Sequence, residues 1–124
     1  MSKKILIIDD DTGVCVTLKA LFTEAGYDVN AATDAYAGMA AAVSFKPDLI
    51  ILDMQMPAGG GQGVQERLSQ NTFTNTTPII FSSSLNKAEV EKILPAGALV
   101  NGYVQKPPDL EALIAKVESI IGKP

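Results

Sequence analysis

The stretch Leu49-Ile50-Ile51-Leu52-Asp53-Met54-Gln55-Met56-Pro57 decides the fold. Four consecutive aliphatic residues followed at once by a carboxylate do not alternate as a half-exposed strand must, and they are too few for a helix. They read as a strand buried on both faces, which belongs in a parallel sheet with helices on either side. The pattern recurs outward in both directions. Lys4 to Ile8 runs into Asp9-Asp10-Asp11, and Ile79 to Ser82 runs into Ser83-Ser84. Asp28 to Ala31 and Gly102 to Gln105, the latter followed by Lys106, complete five predicted strands.

Stretches of helical period lie between them, and that alternation predicts an α/β domain. Val14, Leu18, Leu21, Phe22 and Ala25 share one helical face, and Gly26 stands where a left-handed C-cap would end it. A second helix is predicted from the Thr33-Asp34 cap to about Phe45, stopped by Pro47. A third carries Val64 and Leu68, and a fourth runs from Lys87 to Leu94 before Pro95. The fifth follows Asp109, with Leu110, Leu113, Ile114, Val117, Ile120 and Ile121 in one stripe. Asn71 to Thr77 reads as a polar loop and Cys15 as packing.

Composition narrows the function. The 124 residues are 47% hydrophobic and 19% charged, the profile of one soluble globular domain spanning 1–124. Histidine is absent, which removes the Ser-His-Asp triad and the imidazole zinc ligand. A single cysteine makes no internal disulfide. The net charge of -4 argues against direct nucleic-acid binding, which needs clustered Lys and Arg. The apolar runs are too short for a bilayer or a signal peptide, so no membrane is involved and a cytoplasmic location is expected.

With right-handed crossovers, parallel strands deliver their C-terminal ends to one edge, where open α/β sheets bind ligands. That edge receives Asp9-Asp10-Asp11, Asp53, Ser82-Ser83-Ser84 and Lys106. Each alone has an ordinary reading as a cap, a turn or a solvated charge. Four strand ends carrying polar groups to the same edge are harder to dismiss.

The motifs Ile-Ile-Asp-Asp (7–10), Leu-Ile-Ile-Leu-Asp-Met-Gln-Met-Pro (49–57), Pro-Ile-Ile-Phe-Ser-Ser (78–83) and Gly-Tyr-Val-Gln-Lys-Pro (102–107) resemble the receiver domains of two-component response regulators, the CheY-like superfamily. The resemblance covers nearly the whole chain and rests on four motifs in order. It implies a flavodoxin-like, doubly wound five-stranded parallel sheet in the order 2-1-3-4-5, with five helices. It further implies that Asp53 is the phosphoacceptor and that Asp9 and Asp10, with Asp53 and the Gln55 backbone carbonyl, hold Mg²⁺, with Mn²⁺ able to substitute. Ser83 and Lys106 would stabilise the phosphoryl group. Ser83 and Tyr103 would act as the switch, with Ser84, Leu85 and Pro107 modulating the site loops. A cis Lys106-Pro107 bond belongs to the same resemblance.

Physical chemistry is consistent with that assignment. Strands about 4.8 Å apart put Asp10 and Ser83 one spacing from Asp53, and Lys106 at about 10 Å, within reach of a lysine stem. Three carboxylates and one ammonium sum to minus two, which a divalent cation brings to zero. An ionised Asp needs no base; the obstacle is its approach to an anionic phosphoryl group, which metal and lysine remove. The resemblance also implies that phosphorylation would draw Ser83 and Lys106 inward and open space for Tyr103, in keeping with two-state switching. An apolar Leu85 offers an attacking water no hydrogen bond, so slow self-dephosphorylation is expected.

Three features depart from the family pattern. Pro108 replaces an aromatic, Ala98-Leu99-Val100-Asn101 lengthens the connection into strand five, and Gly59-Gly60-Gly61 with Gly63 suggests a mobile loop beside the site. The resulting expectation is a phosphorelay switch that promotes its own phosphorylation and dephosphorylation, with no separate small-molecule turnover. Its partners would be a sensor histidine kinase or histidine phosphotransfer protein, and a downstream effector or separate output domain. A phosphorylation-dependent dimer is among the partners the resemblance allows. A Mg²⁺-dependent phosphatase lacks a second acid near Asp53 for the leaving group. A flavin or nucleotide carrier would find the acidic Asp9 to Gly13 turn repelling its phosphate.

Overall fold

The computed structural model describes residues 2–56, 60–72, 74–94 and 102–124. Its strands are β1 (Lys4–Ile8), β2 (Asp28–Ala32), β3 (Leu49–Asp53), β4 (Ile79–Ser83) and β5 (Tyr103–Gln105). Its helices are α1 (Thr12–Ala25), α2 (Ala35–Ser44), α3 (Gly60–Gln70), α4 (Lys87–Ile93) and α5 (Leu110–Ile121). The strands form one parallel sheet in the order β2-β1-β3-β4-β5, the flavodoxin-like order.

The unbroken apolar strands are explained by which face each residue serves. Ile5, Ile7, Leu49, Ile51 and Ile80 meet Cys15, Leu18 and Phe22 of α1 and Leu113 and Val117 of α5. Their neighbours Leu6, Ile8, Ile50, Leu52 and Phe81 turn to the opposite face, against Ala42 of α2, Val64 and Leu68 of α3, and Val90 of α4. The strand period of two thus fills two cores, and no position is left for a polar residue until the strand ends.

The caps fall where short polar side chains can take orphan amides. The Asp11 carboxylate accepts from Gly13 N and Val14 N, Asp34 from Ala37 N, and Asp109 from Ala112 N. Asn86 and Glu89 form a capping box on α4. Gly26 ends α1 at φ 109°, in the left-handed region as expected. Cys15 is buried in the core as packing.

Several details differ from the sequence reading. Gly60, Gly61 and Gly63 lie in the first turn of α3 rather than in a loop, because buried Val64 and Leu68 anchor that helix to the sheet. Gly59, Pro95 and the Ala98 to Asn101 connection lie outside the described residues. The 71–77 segment is more than a polar loop: Thr74 is buried, and its hydroxyl donates to Leu68 O at 2.7 Å, satisfying a carbonyl at the end of α3. Gly102 precedes β5 at φ 123°, so the strand starts at Tyr103. Among the described residues no helix is long and apolar enough to cross a membrane.

α2 approaches β1 so closely that a Cβ on Gly38 would stand 2.8 Å from Ile8 Cγ2 and 2.9 Å from its Cδ1. Ile8 is fully buried and cannot swing away. We expect Gly38→Ala to lower stability by about 1–3 kcal/mol despite the better helix propensity of alanine. A urea midpoint equal to or above that of the wild type would show that α2 can shift outward.

Candidate functional site

The polar residues that end β1, β3, β4 and β5 gather at the C-terminal edge of the sheet. Parallel pairing brings Asp53 opposite Ser82, and the adjoining strands deliver Asp9-Asp10 on one side and Lys106 on the other. Carboxylate oxygens of Asp9, Asp10 and Asp53 lie within 4.8 Å of one another. Asp9 and Asp53 are buried, whereas Asp10 is exposed.

Lys106 closes the cluster from β5. Its Nζ donates to Asp9 Oδ2 at 2.8 Å and lies 3.5 Å from Asp53 Oδ1. Its backbone N–H donates to Ser83 O at 2.8 Å, and its bond to Pro107 is cis. Backbone amides hold both buried acids: Asp11 N donates to Asp9 Oδ1 at 2.9 Å, and Gln55 N to Asp53 Oδ1 at 3.0 Å. Behind the cluster, the Cys15 thiol donates to Asp9 O at 3.3 Å. Burial first and the Asp9 charge second push that thiol's pKa up, so it stays protonated.

The electrostatics follow from this crowding. Burial raises the Asp53 carboxyl above the usual carboxylate range; the Gln55 N–H pulls it back, the Asp9 charge raises it, and Lys106 opposes. Burial alone would lower Lys106, but its hydrogen bond to Asp9 and the two carboxylate charges outweigh burial and hold it above an ordinary lysine. The ammonium is therefore fixed, and two of the three acids, Asp9 and Asp53, share it. Oxygen donors in this number and spacing, with net negative charge, suit a small hard cation such as Mg²⁺.

The β4 end is organised around one side chain that the sequence reading missed. Gln55 is exposed, and its Oε1 accepts from Ser83 Oγ at 3.1 Å, Ser84 N at 3.2 Å and Ser84 Oγ at 2.9 Å. Ser83, fully buried, also accepts from Leu85 N at 3.0 Å. Leu85 packs against the second core, as does half-buried Tyr103, whose hydroxyl donates to Ser83 O at 3.4 Å. Tyr103 therefore already lies over the end of β4. The only signal for Gln55 in the sequence was an amide two residues beyond a strand-end acid, beside a strand ending in three serines.

Comparison with known proteins agrees with this geometry. Residues 5–118 match the response regulator receiver domain family. The chain is 35% identical, over 95% of its length, to the DNA-binding dual master transcriptional regulator RpaA of Synechocystis sp., of which it covers 48%. It spans about half the length of the other regulators it matches as well. Chemotaxis response regulator CheY4 of Vibrio cholerae superposes with a TM-score of 0.87 at 26% identity, covering 97% of this chain and 99% of that one. The receiver domain of sensor histidine kinase PA1611 from Pseudomonas aeruginosa PAO1, solved with magnesium coordinated in its active-site cleft, superposes at 0.86. At 21% identity over 99% of this chain and 100% of that one, the second likeness concerns the fold.

The anionic cluster generates a stability prediction. Because the folded-state pKa of Asp53 is raised, the folded protein binds that proton more tightly than the unfolded chain does. Ionised Asp53 therefore destabilises the fold at neutral pH, and the effect fades as pH falls through the folded value. Asp53→Asn removes the charge while Lys106 keeps its 2.8 Å partner Asp9. In EDTA at pH 7 we expect the variant to be more stable. The gap should narrow at acidic pH and on adding Mg²⁺, which stabilises the wild type more. Thermal melts showing the variant less stable in EDTA would contradict a cost of holding that charge buried beside Asp9.

Proposed function

The chain belongs to the response regulator receiver domain family, and on that premise we propose that Asp53 is its phosphoacceptor, within a receiver unit spanning 1–124. The observation that carries the reading is the Lys106 ammonium, held between Asp9 and Asp53 from a strand end two positions away in the sheet.

Asp53 Oδ forms a bond to phosphorus as the bond between phosphorus and the donor's leaving atom breaks, which gives an acyl phosphate. No base is needed once Asp53 is ionised. Lys106 supports the step by meeting a phosphoryl oxygen with positive charge, already oriented by Asp9. Gln55 N–H fixes the Asp53 carboxylate, and Ser83 offers a hydroxyl proton from β4. Asp9, Asp10, Asp53 and the Gln55 carbonyl would hold Mg²⁺, or Mn²⁺ with its similar oxygen preference, which supplies charge neutralisation for the pocket and the incoming group.

The phosphoryl donor fitting this reading is a histidine kinase or histidine phosphotransfer protein, and the output is protein contact through the Ser83 and Tyr103 end of the sheet. The regulators of about twice this length leave an attached output domain or a separate effector as the recipient. Catalysis is limited to phosphorylation of Asp53 and hydrolysis of its acyl phosphate, and the hydrolysis is slow because half-buried Leu85 presents no hydrogen bond to water. The receiver acts in the cytoplasm, and its net negative charge argues against direct contact with nucleic acid.

Incubation with Mg²⁺ and acetyl phosphate tests the assignment. Intact mass should show one phosphoryl addition to the wild type, none without divalent cation and none in Asp53→Asn. An addition that survives in Asp53→Asn, or none in the wild type, would overturn it.

A further inference from the structure

We propose that the Gln55 side chain is a positioning residue that latches the β4 end, competing with the phosphoryl group for the donors of Ser83 and Ser84. The inference rests on the assignment of Asp53 as phosphoacceptor and concerns what opposes the switch there.

Three donors converge on one oxygen: Ser83 Oγ, Ser84 N and Ser84 Oγ all point to Gln55 Oε1, at 3.1, 3.2 and 2.9 Å. An amide nitrogen cannot accept, so this convergence fixes the orientation of the side-chain amide. The Ser83 hydroxyl has a single proton and its oxygen already accepts Leu85 N–H, so that proton serves Gln55 or a phosphoryl oxygen, never both fully. The same exclusivity holds for Ser84 N–H. Meanwhile Gln55's own backbone N–H donates to Asp53 Oδ1 at 3.0 Å. One residue thus grips the reactive acid with its main chain and the responding strand with its side chain.

The two claims on these donors are unequal. An amide oxygen shared among three donors offers each less than a full hydrogen bond. A phosphoryl oxygen is charged, and charge-assisted bonds are roughly twice as strong as neutral ones. Phosphorylation therefore wins the donors, but against a resisting acceptor. Through Ser83 O, which accepts from Lys106 N and the Tyr103 hydroxyl, movement of Ser83 reaches both the site lysine and the output aromatic.

The test is affinity for beryllium trifluoride, a phosphoryl analogue, in saturating Mg²⁺, followed by the Ser84 amide resonance. Gln55→Met keeps an unbranched chain but removes the acceptor. Because Gln55 is exposed, water partly replaces it, and we expect binding about 3- to 10-fold tighter than the wild type. In a Ser83→Ala background the gain should shrink, since the contested hydroxyl is gone. Gln55→Ala should move the constant the same way. A purely structural role for Gln55 would change the melting temperature without tightening the anion. Equal or weaker binding by both Gln55 variants, or a gain undiminished in Ser83→Ala, overturns the latch and leaves the Asp53 assignment standing. A wild type that takes neither beryllium trifluoride nor a phosphoryl group removes both.

Discussion

The Lys106 ammonium lies 2.8 Å from Asp9 and 3.5 Å from Asp53, although the three residues come from the ends of three different strands. Two buried carboxylates and an exposed third outnumber the one ammonium that reaches them, and the site stays anionic as folded. That charge imbalance is the constraint on which the rest depends. After burial, it contributes to the raised Asp53 carboxyl, and it accounts for the fixed charge on Lys106 and the fit to a divalent oxygen-seeking cation. A fold optimised only for stability would not leave like charges this close; here the tension sits where the proposed chemistry needs a nucleophile that is ionised yet shielded.

The sheet makes such tension tolerable. Both of its faces are sealed by apolar residues, so its framework does not depend on the polar edge. Backbone amides of Asp11 and Gln55 steady the acids without adding charge, and the caps of α1 and α5 keep the neighbouring loops in place. On the β4 side, a buried serine hydroxyl is satisfied by a neutral amide and a backbone N–H. It therefore remains available to a stronger acceptor at modest cost.

Much of this was legible in the sequence because it follows from period and position. Unbroken Ile and Leu runs marked both-face strands, Asp34 and Asp109 marked helix starts, and residues at successive strand ends had to share an edge. What escaped depends on tertiary packing or on a rotamer. The glycine-rich 60–63 segment looked like a loop because propensity is local, whereas Val64 and Leu68 bind the helix to the sheet from further along. Thr74 looked solvated until the end of α3 supplied a carbonyl. Gln55 entered the sequence reading only through its main chain, and only coordinates show its amide turned toward Ser83 and Ser84. Likewise, only coordinates show the Tyr103 hydroxyl donating to the Ser83 carbonyl.

If charge imbalance governs the site, Lys106 and the divalent cation do overlapping work, and removing one should strengthen the claim of the other. Calorimetric titration of Mg²⁺ into the wild type and Lys106→Met at neutral pH and low salt tests this most directly. The account predicts tighter Mg²⁺ binding by the variant, by about tenfold for the loss of one nearby positive charge. Binding that is unchanged or weaker in Lys106→Met would contradict it, because the lysine would then be organising the carboxylates rather than neutralising them.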